Sequence, residues 1–317
     1  MRPNMEIIVD IDIIKALPEC VATIGVFDGV HRGHQHLISL VAAEAKRCGA
    51  ASMVITFDRQ PRQVFDAAYQ PQVLSTLDEK RGYVEQMGVD YMVVLPFTRQ
   101  LASLSAQQFM QQILHDKMNV QTLITGYDNR FGHNRAEGFD DYVRYGREMG
   151  MQVMRGDAEM MTDGEQAVSS SVIRQLLSEG RVELMPDCMN RYYQLSGRVA
   201  SGHHIGTGLG FPTANIEPSD PNKMVPASGV YAVWASIGGG NKMSAMMNIG
   251  TRPTFEGHRT TLEVNILGFA GDIYGQTVTI DFVARLREER RFDTPEALVA
   301  QLEDDKRQVE QILNQTK

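Results

Sequence analysis

The chain has 317 residues, 43% of them hydrophobic and 22% charged, which is ordinary for a globular protein and enough for about two domains. Its formal net charge of −8 argues against a general binder of nucleic acid or membrane surfaces, although it leaves room for a local basic phosphate site. The three cysteines are far apart and lack Cys-x-x-Cys spacing, which argues against a disulfide framework or a zinc site. Without a signal-peptide pattern or an apolar run of transmembrane length, we expect a cytoplasmic protein.

Short apolar strands alternate with helices from about residue 20 to residue 180. This alternation predicts a doubly wound parallel sheet, in which ligands bind beyond the carboxyl ends of the strands. The predicted strands are Cys20–Ile24, Ala51–Phe57, Tyr91–Leu95, Gln121–Thr125 and Met151–Met154. The predicted helices are His36–Lys46, three others near Asp78–Met87, Ala106–His115 and Phe139–Met149, and a last one that runs to Ser178.

The segment Gly25–His34 follows the first predicted strand and leads into the first predicted helix. Backbone N–H groups and the positive end of the helix dipole make such a turn an anion site. His31 and His34 can both face that anion, and Gly33 between them lets a phosphate approach the backbone. The alternative is an ordinary turn whose histidines cap or pack, and it is the better interpretation of so short a motif taken alone. The strand–turn–helix context favours the anion site.

Two further polar stretches lie at similar positions. Gly126–Arg135 follows a strand and carries two arginines, whose guanidinium groups bind phosphate bidentately. A solvated loop with surface arginines is an equally good interpretation of that stretch. Ser169–Ser171 opens a helix, with Arg174 one turn in, so hydroxyl and N–H groups there can hold a polyphosphate. Taken alone, the serines are better interpreted as helix caps.

In this order the three motifs resemble the nucleotidyltransferase domain of bacterial FAD synthetases, over about residues 10–180. The resemblance implies that His31 and His34 contact ATP phosphates as catalytic residues. It implies that Asp128, Asn129 and Arg130 contact either the flavin or the nucleotide, and we assign these three residues to the flavin. The residues it assigns to the nucleotide are Gly25, Phe27, Asp28, Gly33, Ser169, Ser170, Ser171 and Arg174, with pyrophosphate held by Ser169, Ser170 and Arg174. The chain departs from the family pattern at Gln60, where histidine is usual, and at Val172, where a basic residue is common.

The second half begins after a helix that stops at Gly180. We interpret Arg181–Asn190 as a linker and place the domains at residues 1–182 and 190–317. From Arg191 onward, alternating residues in short strands with glycine-rich turns predict an antiparallel barrel or sandwich. The predicted strands are Tyr193–Val199, Gly229–Ile237, Lys242–Ile249, Thr261–Leu267 and Thr277–Ala284. A closing helix that begins at Thr294–Pro295–Glu296 has an apolar face made of Leu298, Leu302, Val309 and Leu313.

Two stretches of this half carry candidate functional groups. Glycines between residues 202 and 210 predict a flap able to cover phosphates. Thr213 and Asn215 point to the same side of an extended strand, and their oxygens suit Mg²⁺. Without further context, a glycine-rich hairpin leading into a strand is favoured by about three to one. Glu263 stands between apolar residues, so it faces either solvent, the commoner case, or a site.

A second resemblance covers about residues 190–315, where four motifs follow the order of the riboflavin kinase barrel. They are Pro212–Asn215, Asn248–Thr254, Glu263 and Leu286–Glu289. The resemblance implies that Thr213 and Asn215 serve Mg²⁺ and ATP and that Glu263 is the general base. It further implies nucleotide contacts for Gly206 and Gly208 and flavin contacts for Arg287 and Glu289. The chain departs from that family at Thr207, where a basic residue is usual, and at Asn265, where histidine is frequent.

The whole chain therefore resembles the bifunctional riboflavin kinase/FMN adenylyltransferases, the prokaryotic FAD synthetases. The resemblance implies a parallel-sheet nucleotidyltransferase domain followed by an antiparallel β-barrel with a C-terminal helix. It implies ATP as co-substrate, Mg²⁺ as cofactor, and riboflavin, FMN and FAD as ligands. We expect no nucleic-acid or membrane partner and a monomer or weak homo-oligomer. Two rival hypotheses are a nucleotidyltransferase for another substrate with a passive barrel, and a flavin-sensing regulator without catalysis.

Overall fold

The computed structural model describes residues 5–11, 16–162, 164, 166–200, 211–254 and 257–316. The chain divides into two compact units, Met1–Ser170 and Ser171–Lys317. The predicted domain ranges, 1–182 and 190–317, stay a prediction. None of the helices in the described ranges is long and apolar enough to cross a membrane.

The first unit is built on a six-stranded sheet in which all the strands are parallel. Its strand order is β1-β4-β3-β2-β5-β6, so the strands at its centre are β3 and β2. Every residue of β2 is buried, as expected of a strand that is covered on both faces. The strands are β1 (Glu6–Ile8), β2 (Cys20–Ile24), β3 (Ala51–Phe57), β4 (Tyr91–Leu95), β5 (Val120–Thr125) and β6 (Gln152–Arg155).

Helices connect these strands, and their ends carry ordinary capping signals. The first helix ends at Gly49 in the left-handed conformation, and Thr76 and Glu79 form a capping box at the start of the third. The helices of this unit are α1 (Arg32–Cys48), α2 (Arg62–Phe65), α3 (Leu77–Gln86), α4 (Arg99–Ser103), α5 (Ala106–Phe109) and α6 (Phe139–Met149), and α7 (Ser170–Ser178) follows. The predicted helix Ala106–His115 is continued beyond α5 by one π-helical segment, Met110–His115.

The second unit is a closed barrel of six antiparallel strands in the order β10-β11-β8-β7-β12-β9. The strands are β7 (Tyr193–Ala200), β8 (Ala214–Pro218), β9 (Gly229–Ile237), β10 (Met243–Thr254), β11 (Gly257–Ile266) and β12 (Thr277–Arg287). Tyr193, Tyr231 and Phe282 fill part of the interior, and the rings of Tyr231 and Phe282 meet edge to face with centroids 5.4 Å apart. The predicted fold class of both halves is confirmed.

The segment Arg181–Asn190 is not the linker that we predicted. It forms a 3₁₀ turn at Val182–Leu184 and a short helix, α8 (Met185–Met189), which pack against β12 and β7. Val182, Met185 and Cys188 are fully buried. The segment is too short to show a helical period, so its proline and polar residues dominated the sequence interpretation.

A last helix, α9 (Pro295–Asn314), closes the second unit. Thr294 caps it by accepting a hydrogen bond from the N–H of Ala297, and Pro295 is its first residue, as the sequence predicts. Val309 and Leu313 pack into an apolar cluster on the outside of the barrel. Within the same helix Asp305 is also fully buried.

The packing of Arg181–Asn190 makes a prediction about fragments. A fragment of residues 171–317 should fold, whereas one that begins at Asn190 should be less stable by at least about 3 kcal/mol, because it uncovers the surface that the buried side chains of this segment protect. Urea unfolding followed by circular dichroism measures both. Equal unfolding midpoints would show that the segment does not stabilise the barrel.

Candidate active sites in the two compact units

The predicted anion site lies at the start of α1. Gly25, directly after β2, donates its N–H to the carbonyl of Ile55 at 3.0 Å. His31 is the N-cap of α1, and its Nδ1 accepts the N–H of His34 at 3.4 Å. The two imidazole rings stack with centroids 3.6 Å apart. Both rings therefore stand at the positive end of a helix whose first turn carries no acidic residue, an arrangement that suits a phosphate.

The turn before the helix has an unusual backbone. Phe27 and Val30 have φ angles of 49° and 38°, a region that β-branched and bulky residues rarely adopt, and both are buried. Asp28, between them, accepts the N–H groups of Leu74 and Ser75 with one carboxylate oxygen, at 2.9 and 3.1 Å. Such a conformation persists only where its surroundings fix it, as these contacts do.

Gly33 lies in a tight space. A Cβ at this position would lie 3.3 Å from the ring of His31 and 3.4 Å from the carbonyl oxygen of Val168. A side chain there would push against the stacked histidines and against the segment that leads into α7. The glycine thus leaves room for the histidine pair and keeps the backbone accessible.

Beside this turn the first unit contains a cavity of about 400 Å³. Aromatic and aliphatic side chains form most of its wall, and Phe57 and Phe97 meet there edge to face. A flat apolar ring system suits such a wall. Its lining residues are Ile24, Gly25, Val26, Phe57, Pro61, Phe65, Phe97, Leu101, Ala102, Leu104, Phe109, Asn129, Arg130, Phe131, Gly132, His133, Asn134 and Arg135.

Of the three residues in the first unit that are predicted to bind flavin, two line this cavity. Asn129 donates from its side-chain amide to the carbonyl of Ile24 at 2.5 Å, which ties the loop after β5 to the end of β2. Arg130 lines the cavity too and is exposed, whereas Asp128 is exposed and is not among the lining residues. Gln60 is hydrogen-bonded through its side-chain oxygen to the hydroxyl of Tyr69 at 3.0 Å.

The predicted pyrophosphate residues fall on both sides of the division between the units. The hydroxyl of Ser170 donates to the backbone carbonyl of Asp28 at 2.9 Å, so this serine contacts the turn. Ser169 precedes α7, and Ser171 and Arg174 lie within that helix, in the second unit.

A second cavity, of about 330 Å³, lies on the outer face of the barrel beside α9. The inner face of β11 carries Leu262 and Val264, both buried, and the alternation along the strand puts Glu263 on the opposite face, in this cavity. Its lining residues are Phe211, Thr213, Val230, Met246, Asn248, Glu263, Asn265, Arg287, Glu289, Arg290, Phe292, Leu298 and Leu302.

The strand register sets the neighbours of Glu263. It lies opposite Asn215 of β8 on one side and opposite Asn248 of β10 on the other. Directly opposite residues share a face of the sheet, so the three side chains form one row across three strands. Thr213 lines the same cavity, whereas Asn215 is not among its lining residues. Asn265 donates to the carbonyl of Pro212 at 2.6 Å and so fixes the start of β8.

Arg287 and Glu289 are held at this cavity by neighbouring elements. The guanidinium of Arg287 makes a bidentate ion pair with the buried carboxylate of Asp305, with contacts of 3.0 and 2.7 Å. Glu289 accepts the N–H of Thr251 at 3.3 Å. A Cβ at Gly250 would lie 2.7 Å from the carboxylate of Glu289, so any side chain at 250 would displace it.

Some candidate site residues lie outside the described residues, and others carry no signal in the sequence. Gly206, Gly208 and Thr207 fall in the undescribed range 201–210. Phe57 and Phe97 line the first cavity and were not predicted, although each stands at or just past the carboxyl end of a parallel strand. Asn248 begins the Asn248–Thr254 motif, and nothing in its own sequence pattern indicates that it faces Glu263.

Comparisons with known proteins agree with this two-part arrangement. A sequence model of the FAD synthetase family matches residues 13–172, and a model of the riboflavin kinase family matches residues 189–313. The bifunctional riboflavin kinase/FMN adenylyltransferase of Escherichia coli K12 is 35% identical over 298 residues, 94% of each chain. That of Pseudomonas fluorescens is 39% identical over 280 residues, 88% of each chain. A solved structure described as a macrolide-efflux protein from Streptococcus pneumoniae has a TM-score of 0.86 at 30% identity and covers 96% of this chain and 97% of its own.

A nucleotidyltransferase-type parallel sheet followed by a kinase-type barrel defines an ATP-dependent transferase with two activities. The chain belongs to the bifunctional riboflavin kinase/FMN adenylyltransferase family. Its C-terminal part phosphorylates riboflavin to FMN with ATP, and its N-terminal part adenylylates FMN to FAD with release of pyrophosphate. The family and the function that the sequence predicted are confirmed. The description of the Streptococcus chain as an efflux protein applies to that chain.

The ion pair between Arg287 and Asp305 makes a prediction about stability. Asp305→Asn should lower the free energy of unfolding by about 2–3 kcal/mol, because a buried, charge-assisted pair of hydrogen bonds is lost. Asp304→Asn is the matched control: its pair with Arg307 is at the surface and should contribute nothing measurable. Urea unfolding measures the free energy of unfolding of both variants. Equal losses would show that the buried pair contributes no more to stability than the surface pair.

Proposed function

We propose that riboflavin is phosphorylated in the barrel cavity, with Glu263 as the general base. The observation that supports this is that Glu263 shares one cavity with Thr213, Arg287 and Glu289. A ribityl hydroxyl is a poor nucleophile at neutral pH, so a carboxylate must accept its proton as its oxygen bonds to the γ-phosphorus of ATP and the bond to ADP breaks. Glu263 is on the same sheet face as Asn215 and Asn248 and so has polar neighbours.

The donor set next to Glu263 fits Mg²⁺. In the described part of the chain there is no cluster of three or more His, Cys, Asp or Glu side chains that could hold a metal. A hydroxyl and an amide oxygen, from Thr213 and Asn215, are hard oxygen ligands of the kind Mg²⁺ accepts together with water and ATP phosphates. Bound there, Mg²⁺ would supply charge neutralisation at the phosphates. Thr213 and Asn215 hold and orient it in this proposal.

For the first unit we propose that ATP phosphates bind at the turn Gly25–His34. The FMN phosphate attacks the α-phosphorus of ATP, and the bond to the leaving pyrophosphate breaks. His31 and His34 then donate to the transferring phosphates, with help from the N–H groups at the start of α1. Ser169, Ser170, Ser171 and Arg174 hold the pyrophosphate. Asp28 supports the turn through its hydrogen bonds to the 74–75 backbone.

The flavin ring of FMN occupies the apolar cavity of the first unit in this proposal. Its aromatic wall and its volume of about 400 Å³ support that assignment. Asn129 and Arg130 supply the polar contacts, and Asp128 remains a predicted flavin residue at the surface beside them.

We further propose that the enzyme works in the cytoplasm as a monomer or weak homo-oligomer, with no nucleic-acid or membrane partner. Its three cysteines are free thiols, of which Cys20 and Cys188 are buried, as suits a reducing compartment. The net charge of −8 disfavours polyanionic partners.

The role of Glu263 is tested by Glu263→Gln, which keeps size and hydrogen bonding and removes the base. FMN production should fall by about 10²–10⁴, while riboflavin binding and FMN adenylylation persist. Glu217→Gln, on an exposed position of β8, is the control and should keep full kinase activity. Chromatography of flavins after incubation with riboflavin and Mg-ATP measures both reactions. Turnover within a few-fold of the parent chain would remove Glu263 from the mechanism.

The histidine pair is tested by His31→Ala and His34→Ala. FAD production from FMN should fall by about 10²–10³ in each, because a preorganised donor to the phosphates is lost. His36→Ala, two residues further along α1, should have little effect, and riboflavin phosphorylation should be unchanged in all three. Loss of both activities in a folded variant would contradict two separate sites.

A further inference from the structure

Lys80 of α3 is a buried cation beneath the turn that precedes α1. Only 6% of it is exposed. Its Nζ donates to the carbonyl of Val26 at 2.7 Å and to the hydroxyl of Thr56 at 3.3 Å. The hydroxyl of Thr56 donates to the same carbonyl at 3.1 Å. Burying an ammonium group is costly, so its retention needs a reason beyond packing.

The contact fixes one particular peptide plane. The carbonyl of Val26 and the N–H of Phe27 belong to the same planar trans peptide, so they point in opposite directions. Holding the carbonyl towards Lys80 therefore directs the N–H of Phe27 away from it. This peptide begins the left-handed turn, with Phe27 at φ 49°, and Val26 lines the apolar cavity.

The charges around Lys80 are few. Asp28 faces it from the turn, while β2 and β3 carry no charged side chain. On its own helix Asp78, Glu79, Arg81 and Glu85 are the other charged residues. Burial lowers the pKa of Lys80 to about 8, and the nearby Asp28 carboxylate opposes that shift. Lys80 thus carries its charge at neutral pH and loses it in mildly alkaline solution.

We propose that Lys80 is a positioning residue for FMN adenylylation, which holds the Val26–Phe27 peptide in the orientation that receives ATP and adds positive charge beneath the phosphates. The inference rests on the assignment of the Gly25–His34 turn to ATP proposed above. A neutral donor would hold the carbonyl without the charge. An ammonium group does both, and bound polyphosphate in turn favours its protonated form.

The test measures the KM for ATP in FMN adenylylation by the full chain. Lys80→Met should raise this KM at least tenfold, with kcat affected less and riboflavin phosphorylation unchanged. Lys46→Met, the same change on an exposed lysine of α1, should leave KM unchanged. Thr56→Val keeps the charge and removes the hydroxyl link, so it should raise KM only a few-fold.

The pH profile separates this role from a merely structural one. In the parent chain KM should rise as pH increases through about 8, where Lys80 loses its proton. Lys80→Arg stays charged, so its KM should be flat between about pH 7 and 9.5.

A KM within twofold of the parent in Lys80→Met, or a parent profile that is flat over this range, overturns the inference. Should Lys80→Met fail to fold, an unchanged KM in folded Thr56→Val together with the flat parent profile overturns it. His34→Ala distinguishes failure of the proposed ATP site from failure of the proposed role of Lys80. Full adenylylation activity in His34→Ala would contradict the ATP site itself. Loss of adenylylation in His34→Ala, together with an unchanged KM in Lys80→Met, would support the ATP site and contradict the role of Lys80.

Discussion

The first unit depends on a strained turn that must be held in one conformation. Phe27 and Val30 adopt positive φ angles, at a cost of roughly 1–3 kcal/mol each, in the few residues between β2 and α1. The cost is offset by contacts from several directions, since Asp28 accepts two N–H groups and the hydroxyl of Ser170 reaches the carbonyl of Asp28. The turn sets where α1 begins. The orientation of the stacked histidines therefore follows from the backbone before any ligand is bound.

In the second unit, a buried carboxylate fixes a side chain that lines the cavity. Asp305 is fully buried on α9 and fixes the guanidinium of Arg287 at the end of β12. The amide of Gln301 also donates to Asp305 at 2.6 Å, so the carboxylate has partners from both its own helix and the barrel. A buried charge of this kind is costly without its partners. The ion pair therefore favours the position of α9 that brings Asp305 to Arg287.

The sequence predicted most elements because their periods and caps are plain. The ends of Ala51–Phe57, Tyr91–Leu95 and Gly229–Ile237 agree with the structure to the residue. The segment 181–190 was misjudged because its buried side chains are spread over a 3₁₀ turn and one helical turn, too short for any period. The motifs indicated the turn before α1 and the segment around Glu263 as candidate sites, since glycines and histidines mark a turn before any packing is known. Cavity walls could not be predicted, because Asn248 meets Glu263 only through the register of β10 against β11.

The two cavities are lined by entirely different residues, one set on the parallel sheet and the other on the barrel and α9. Under the site assignment proposed above, FMN made at one cavity is recognised afresh at the other. An altered riboflavin then becomes an altered FAD only if the barrel cavity and the aromatic-walled cavity of the first unit both accept it. Their discrimination factors multiply, so two sites of modest selectivity together give a strict filter on the flavins that reach the cell's dinucleotide pool.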